Sequence, residues 1–135
     1  MKFKFFEHTA DTKFQAYGET LEDAFKNAAE AMSYVITIDE IHVHEKIYIH
    51  VKGNDLKSLL YNFLEELLFL FDTKSFLLAK VDSITIKENE LSATIKGDSR
   101  IERYDISGDV KAVTYNDMEI IQKPESVTLQ VVLDL

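Results

Sequence analysis

Two short polar stretches contain the residues of this chain that are best suited to chemistry. The first is residues 8–11, His-Thr-Ala-Asp, between two apolar, strand-like runs. The second is the end of the sequence, Leu133-Asp134-Leu135, where the Asp134 carboxylate and a terminal main-chain carboxylate would lie one residue apart. Calcium and magnesium prefer oxygen donors of this kind. The structural alternatives are a turn in which Asp11 or Thr9 caps backbone amides, and a frayed, solvated terminus.

The histidines offer a weaker candidate for a metal site. His42 and His44 alternate on one predicted strand face and could share an ion. His50 is eight residues beyond His42, about 26 Å along a strand, so the three cannot bind one ion together. A solvated outer face is the favoured interpretation.

Missing motifs exclude several enzyme classes. The chain has no GxGxxG or phosphate-cradling loop, no GxSxG elbow and no HExxH helix, and its four glycines are not grouped. It has no cysteine, which excludes thiolate zinc sites, a disulfide framework and a cysteine nucleophile. The lack of cysteine also fits a cytoplasmic protein.

The net charge of −9 indicates which kinds of macromolecule the protein can bind. An acidic surface repels phosphate backbones, and the sequence has no stripe of lysine and arginine. We therefore expect no strong direct binding of nucleic acid, and a basic protein is the better partner. No stretch is apolar enough for a signal peptide or a membrane span.

Two helices must position these groups. The central one is predicted over residues 54–71, with Asn54 as the capping residue and residues 71–74 as an exit turn. The other begins at Thr20, in a capping-box-like sequence, and continues to about Tyr34. The apolar stripe of the central helix comprises Leu56, Leu59, Leu60, Phe63, Leu64, Leu67, Leu68 and Phe71.

The remaining chain alternates with the period of β-strands. One strand is predicted over residues 41–51, with a bulge or bend at Glu45. A hairpin turns at residues 88–90. The other predicted strands are residues 3–5, 13–17, 81–87, 91–96, 109–115, 118–123 and 127–135. The sequence predicts one α+β domain over residues 1–135: two-layer, mostly antiparallel sheets of about seven strands packed against two helices.

Several segments together resemble one protein family. Residues 7–11, Glu-His-Thr-Ala-Asp, are similar to the Asp-His-Thr-Ala-Asp signature of the archeases. The resemblance continues through residues 17–21, the Ala-rich first helix, residues 70–73 and residues 111–115, Lys-Ala-Val-Thr-Tyr. It ends at Asp134 followed by one aliphatic residue, so it covers essentially the whole chain.

This resemblance implies a function. Archeases are small α+β proteins that activate an RtcB-type RNA ligase in tRNA splicing, promoting its guanylylation and multiple turnover, and are not catalysts themselves. They carry a divalent-metal site, described with calcium; Mg²⁺ or Mn²⁺ are alternatives. Carried over here, the metal ligands are Asp11, Asp134 and the main-chain oxygen of Leu135. His8 and Lys111 are weaker candidates for contacts with a phosphate or the partner.

The chain departs from the family pattern at three positions. Glu7 replaces the first Asp of the signature, Lys13 stands where a glycine is usual, and Asn116 replaces a common His. With Lys13, the turn that the family pattern places after Asp11 lacks its usual glycine. With Asn116, the role that the family's His would have is not available at this position.

Three other functions compete with ligase activation. A stand-alone metal-dependent hydrolase would use His8, Asp11 and Asp134. A general chaperone-like interaction module would use the Asp residues only to cap turns. A direct RNA-binding module conflicts with the acidic charge and ranks last.

Overall fold

The computed structural model describes residues 1–6 and 11–135. Within these ranges the chain forms seven strands, two α-helices and one short 3₁₀ helix. In chain order they are β1 (Phe3–Phe6), β2 (Asp11–Gly18), α1 (Leu21–Ile36), β3 (Glu45–Lys52), α2 (Leu56–Lys74), β4 (Leu77–Lys87), β5 (Glu90–Asp98), the 3₁₀ helix (Ile101–Arg103), β6 (Ala112–Lys123) and β7 (Ser126–Asp134).

The strands form two antiparallel sheets. The larger has the order β1-β2-β7-β6, and the smaller has the order β3-β5-β4. The predicted α+β class, with about seven antiparallel strands and two helices, is confirmed. Strand β7 lies between β2 and β6, so the last strand of the chain is an interior strand of its sheet.

Helix α1 connects the two sheets by packing against β2 of one and β4 of the other. Its N-cap is Thr20, as predicted, and the Thr20 hydroxyl accepts a hydrogen bond from the Asp23 N–H at 3.1 Å. The helix continues to Ile36, two residues beyond the predicted end. The backbone N–H of the C-cap residue, Thr37, donates to the Ser33 carbonyl at 3.0 Å.

Helix α2 packs against β6 and β3, and both of its predicted ends were wrong. The N-cap is Asp55 rather than Asn54. Asp55 Oδ1 accepts a hydrogen bond from the Ser58 N–H at 2.8 Å, and the Ser58 hydroxyl accepts one from the Asp55 N–H at 3.1 Å. The predicted exit turn at residues 71–74 is helical. The helix ends only at Ser75, whose left-handed φ of 57° closes the last turn.

Two strand predictions also need correction. Strand β3 begins at Glu45 and not at residue 41. Glu45 does not make a bulge: its carboxylate accepts from the Ser99 N–H at 3.2 Å and the Ser99 hydroxyl at 2.9 Å. The two strands predicted over residues 109–115 and 118–123 are one strand, β6, with a register shift at residues 115–118. The positive φ of Asp117, 52°, accommodates that shift.

The predicted hairpin is confirmed, with a tighter turn than the sequence suggested. Strands β4 and β5 are joined by Glu88 and Asn89, whose φ angles of 53° and 60° are typical of a two-residue hairpin turn. β4 begins at Leu77, four residues before its predicted start. Neither helix in the described ranges is long and apolar enough to cross a membrane.

Candidate functional site

Asp11 is the first residue of β2, so the pairing of this strand sets the position of its backbone. The rest of the turn considered for residues 8–11 lies outside the described residues. Phe14 and Ala16 of this strand are fully buried, and they fix the face that β2 turns toward the core. Asp11 belongs to the opposite face by strand alternation. The side chain is half-buried, and its Oδ1 atom is shielded from solvent.

Asp134 is the last residue of β7 and lies directly opposite Asp11 in the antiparallel pairing. Directly opposed residues share a face, with Cβ atoms about 4.5–5.5 Å apart. Asp134 is exposed, and Leu135 follows it with 39% of its surface exposed. The strand is held in place by four buried residues on its core face, Val127, Leu129, Val131 and Leu133.

The other neighbour of Asp134 is the start of β6. Ala112 pairs with Asp134, and the Lys111 N–H donates to the Asp134 carbonyl at 2.8 Å. The Lys111 side chain is exposed. The start of β2, the end of β7 and the start of β6 therefore meet at one end of the larger sheet. This end, which we call the Asp11–Asp134 edge, brings together Asp11, Asp134, Leu135 and the Lys111 backbone. His8 lies outside the described residues.

The oxygen donors at this edge suit a hard cation, although the side chains alone are few. Asp11 and Asp134 supply two carboxylates, and main-chain oxygens lie beside them. Across residues 1–6 and 11–135, no cluster of three or more His, Asp, Glu or Cys side chains is arranged to hold a metal ion. A cation between Asp11 and Asp134 would need main-chain oxygens and water to reach the coordination number of calcium.

Lys13 and Asp117 form an ion pair on the outer face of the larger sheet, the face that also carries Asp11 and Asp134. Lys13 is a strand residue of β2 paired with Val132, as the predicted strand over residues 13–17 requires, and Asp11 and Thr12 before it already belong to the strand. The Lys13 Nζ lies 3.5 Å from Asp117 Oδ2. The Gln130 amide, 9% exposed, donates to the Asp117 carbonyl at 2.8 Å. These two contacts connect the shifted segment of β6 to the outer face of β2 and β7.

His42, His44 and His50 lie on the surface, but the strand face predicted for His42 and His44 was wrong because β3 begins only at Glu45. His42 and His44 precede β3 and are exposed. The His42 ring packs edge-on against Tyr104, with centroids 6.1 Å apart. His50 contacts Ser92 Oγ at 2.8 Å and Glu90 Oε1 at 3.1 Å on the outer face of the smaller sheet.

A buried ionic cluster at the end of β5 was not predicted from the sequence. Asp98 is fully buried and accepts from Arg100 Nε at 2.9 Å, Arg100 Nη2 at 3.0 Å and the Tyr104 hydroxyl at 2.5 Å. The hydrogen bonds from the Arg100 side chain, together with those from Tyr104, hold the pKa of Asp98 well below its ordinary value. Burial, with the hydrogen bond to Asp98, raises the pKa of Tyr104.

This cluster fixes the connection from β5 to β6, which ends at the candidate site. The Tyr104 hydroxyl accepts from the His42 N–H at 3.1 Å, and the Thr37 hydroxyl donates to the Asp105 carbonyl at 2.7 Å. The N–H groups of Ser107 and Gly108 both donate to the Ile36 carbonyl at 3.0 Å. The one clue in the sequence is an Asp and an Arg two residues apart, a spacing that carries no specific signal.

Sequence comparison identifies similar proteins along the full length. Residues 3–135 match the family model described as the Archease protein family (MTH1598/TM1083). A protein archease of Methanosarcina barkeri is 36% identical over 99% of this chain and 96% of its own length. A protein archease-like of Drosophila melanogaster is 35% identical over 97% of this chain and 87% of its own length.

Solved structures show the same architecture. The solution structure of Methanobacterium thermoautotrophicum protein 1598 superimposes with a TM-score of 0.84 at 39% identity, covering 99% of each chain. The crystal structure of a Thermotoga maritima archease, described as a possible chaperone, gives a TM-score of 0.62 over 98% of this chain and 96% of its own. At 18% identity, that second likeness concerns the fold alone.

Proposed function

This chain belongs to the archease family, and from that premise we propose that it is an activator of an RtcB-type RNA ligase in tRNA splicing, acting in the cytoplasm. In this role it promotes guanylylation and multiple turnover of the ligase and is not itself the catalyst. The observation that carries the proposal is the strand register that sets Asp11 opposite Asp134. These are the two carboxylates that the family resemblance singles out.

The donor set at this edge fits a divalent cation. Asp11, Asp134 and the main-chain oxygen of Leu135 would hold it. Ca²⁺ suits this set better than Mg²⁺ does, because Ca²⁺ accepts main-chain oxygens in a flexible geometry whereas Mg²⁺ demands a near-ideal octahedron and retains its waters. Mn²⁺ is a further candidate. A bound cation would add positive charge between the two carboxylates. Two carboxylates side by side repel each other, so a cation between them also stabilises the pairing of β2 with β7.

Lys111 contributes a second positive charge beside the carboxylates. Its backbone is fixed by the hydrogen bond from its N–H to the Asp134 carbonyl, while its side chain is exposed. A flexible ammonium group in this position suits contact with a phosphate or with an acidic residue of the ligase. His8 is a weaker candidate for the same role, on the family resemblance alone.

The charge of the protein supports action on a protein rather than on RNA. A net charge of −9 disfavours a phosphate backbone and favours the basic surface that an RNA ligase needs. Encounter with the ligase would be accelerated by this complementarity and would slow as salt is added.

The deciding experiment is a time course of guanylylation and RNA ligation with the ligase well below the RNA concentration. We expect sustained turnover with this protein and an early plateau without it. Asp11→Asn should remove most of the stimulation. Asp23→Asn, an exposed change near the opposite end of β2, is the matched control. Equal stimulation by Asp11→Asn and the wild type would refute the metal-edge mechanism, and no stimulation by the wild type would refute the proposal.

A chaperone-like module is the second candidate, because the Thermotoga maritima relative is described as a possible chaperone. That function requires binding to many unfolded proteins. Suppression of aggregation of several unrelated denatured proteins, without any effect on the ligase, would favour it. A stand-alone hydrolase requires turnover of phosphoesters by the purified protein alone.

A further inference from the structure

A groove opens where α1 leads into the segment before β3. It has a volume of about 420 Å³ and runs between residues 34–43 and the start of β4. Its floor includes Thr37 and Leu78, which are 3% and 8% exposed. We call it the α1-exit groove. None of the proposed metal ligands lines this groove.

Apolar side chains line this groove while remaining in solvent. Tyr34, Ile38 and Val43 are 50%, 70% and 57% exposed. They are three of the nine large hydrophobic residues that are exposed in the described ranges. Isolated exposed hydrophobic residues need no explanation, but a group of them in one concavity indicates a binding surface.

The charged rim of the groove is predominantly acidic. Glu30, Asp39 and Glu40 lie on it, against the single basic residue Lys80 among its lining residues. Glu30 is partly neutralised by Lys2, whose Nζ lies 3.2 Å from its carboxylate. The remaining negative charge favours a ligand that carries lysine or arginine and disfavours a nucleic acid.

Hydrogen bonds hold the outer wall of the groove in place. Asp39 Oδ2 accepts from the Asp105 N–H at 2.7 Å, and the Thr37 hydroxyl donates to the Asp105 carbonyl at 2.7 Å. The His42 N–H donates to the Tyr104 hydroxyl at 3.1 Å. Because these bonds fix the wall before anything binds, little ordering entropy has to be lost on association.

We propose that the α1-exit groove docks a segment of a protein partner in which apolar side chains alternate with lysine or arginine. The apolar side chains would pack on Tyr34, Ile38 and Val43, and the basic ones would meet Glu40 and Asp39. This surface is separate from the Asp11–Asp134 edge, and the inference does not depend on the proposed function.

The test is a nuclear magnetic resonance titration of the ¹⁵N-labelled full chain with a short synthetic peptide of alternating leucine and lysine. We expect saturable shifts confined to the residues of the α1-exit groove. Ile38→Ser and Glu40→Gln should each weaken the affinity by about tenfold. Tyr48→Ser, which removes an aromatic residue 74% exposed on the smaller sheet, is the matched control and should bind as the wild type does.

Two further measurements test the charge of the ligand and the identity of the groove's occupant separately. A peptide of alternating leucine and glutamate should not bind, whereas its binding with equal affinity would remove the electrostatic basis of the proposal. Shifts that map elsewhere, or wild-type affinity in Ile38→Ser, would overturn it. Sedimentation of the protein alone is the last arm: self-association that Ile38→Ser abolishes would assign the groove to a second copy of the chain and overturn the peptide-docking proposal.

Discussion

Asp11 and Asp134 are directly opposed residues at the end of an antiparallel strand pair, although 122 residues of sequence separate them. The β2–β7 pairing continues from this point through eight residue pairs to Gly18 and Val127. The two carboxylates are therefore positioned by a long stretch of backbone hydrogen bonds and not by a mobile loop. This rigidity suits a binding site, because ligand positions that are fixed in advance cost little to order.

Calcium binding should stabilise the protein through this pair. At free Ca²⁺ about 100 times above the Kd, the free energy of unfolding should rise by about 2.7 kcal/mol. Asp11→Asn or Asp134→Asn should weaken Ca²⁺ binding by more than about tenfold, because each removes a charged ligand. Calorimetric titration and thermal unfolding with and without a chelator measure both effects.

The control for this prediction is Asp23→Asn, which removes the same single negative charge as Asp11→Asn and leaves the Asp11–Asp134 edge intact. An equal rise in melting temperature for the wild type and for Asp11→Asn would mean that calcium binds elsewhere. No rise in the wild type would remove the metal site, and the proposed function would then depend on family membership alone.

Local periodicity was sufficient to predict the types of the elements. The apolar stripes of α1 and α2 and the hairpin at Glu88 and Asn89 are each dictated by neighbouring residues, and all three are present. The ends were less predictable. Asn54 and Asp55 are equally good caps by residue type, and the reciprocal hydrogen bonds with Ser58 select Asp55.

Other features depend on contacts between distant segments, which periodicity does not contain. Alternation suggested two strands over residues 109–123, but pairing with β7 makes them one strand with a register shift. The buried cluster joins Asp98 and Arg100 to Tyr104 and the His42 backbone. No pattern within one segment shows that these groups will meet. The pairing of β2 with β7 is of the same kind, and only the family resemblance pointed to it.

Removing the Tyr104 hydroxyl tests the structural role of the buried cluster. Tyr104→Phe leaves the ring against His42 and takes away a donor to a buried carboxylate and an acceptor for the His42 N–H. The loss of a hydrogen bond to a charged group should lower the free energy of unfolding by about 1.5–3 kcal/mol. Urea denaturation measures this change in the free energy of unfolding. Tyr48→Phe, at an exposed hydroxyl on the smaller sheet, is the control and should change stability by less than about 0.5 kcal/mol.

The same cluster should make stability sensitive to acid. The hydrogen bonds from Arg100 lower the pKa of Asp98 below its ordinary value of 3.8, so the folded protein binds a proton there more weakly than the unfolded chain does. The contribution of this carboxylate is fully present above about pH 4 and is lost as the pH falls further. Asp98→Asn should be markedly less stable than the wild type at pH 7, with a difference that shrinks below pH 4. A difference independent of pH would contradict this assignment.

The N-cap of α1 offers a test of a feature that the sequence did predict. Thr20→Ala removes the acceptor of the Asp23 N–H and should lower the free energy of unfolding by about 1 kcal/mol. Glu19→Ala, one residue earlier and equally exposed, should stay within about 0.5 kcal/mol of the wild type. Equal effects of the two changes in urea denaturation would argue against a capping role for Thr20.

Gly108 allows the connection to β6 to lie against the end of α1. A Cβ atom at this position would stand 1.9 Å from the Val35 carbonyl oxygen, a backbone atom that cannot rotate away. Gly108→Ala should therefore displace the loop and lower the free energy of unfolding by about 1–3 kcal/mol. Ser107→Ala, whose N–H donates to the same Ile36 carbonyl, keeps the backbone contacts and should be nearly neutral. Thermal unfolding of both variants decides, and a Gly108→Ala protein as stable as Ser107→Ala would show that the loop yields without cost.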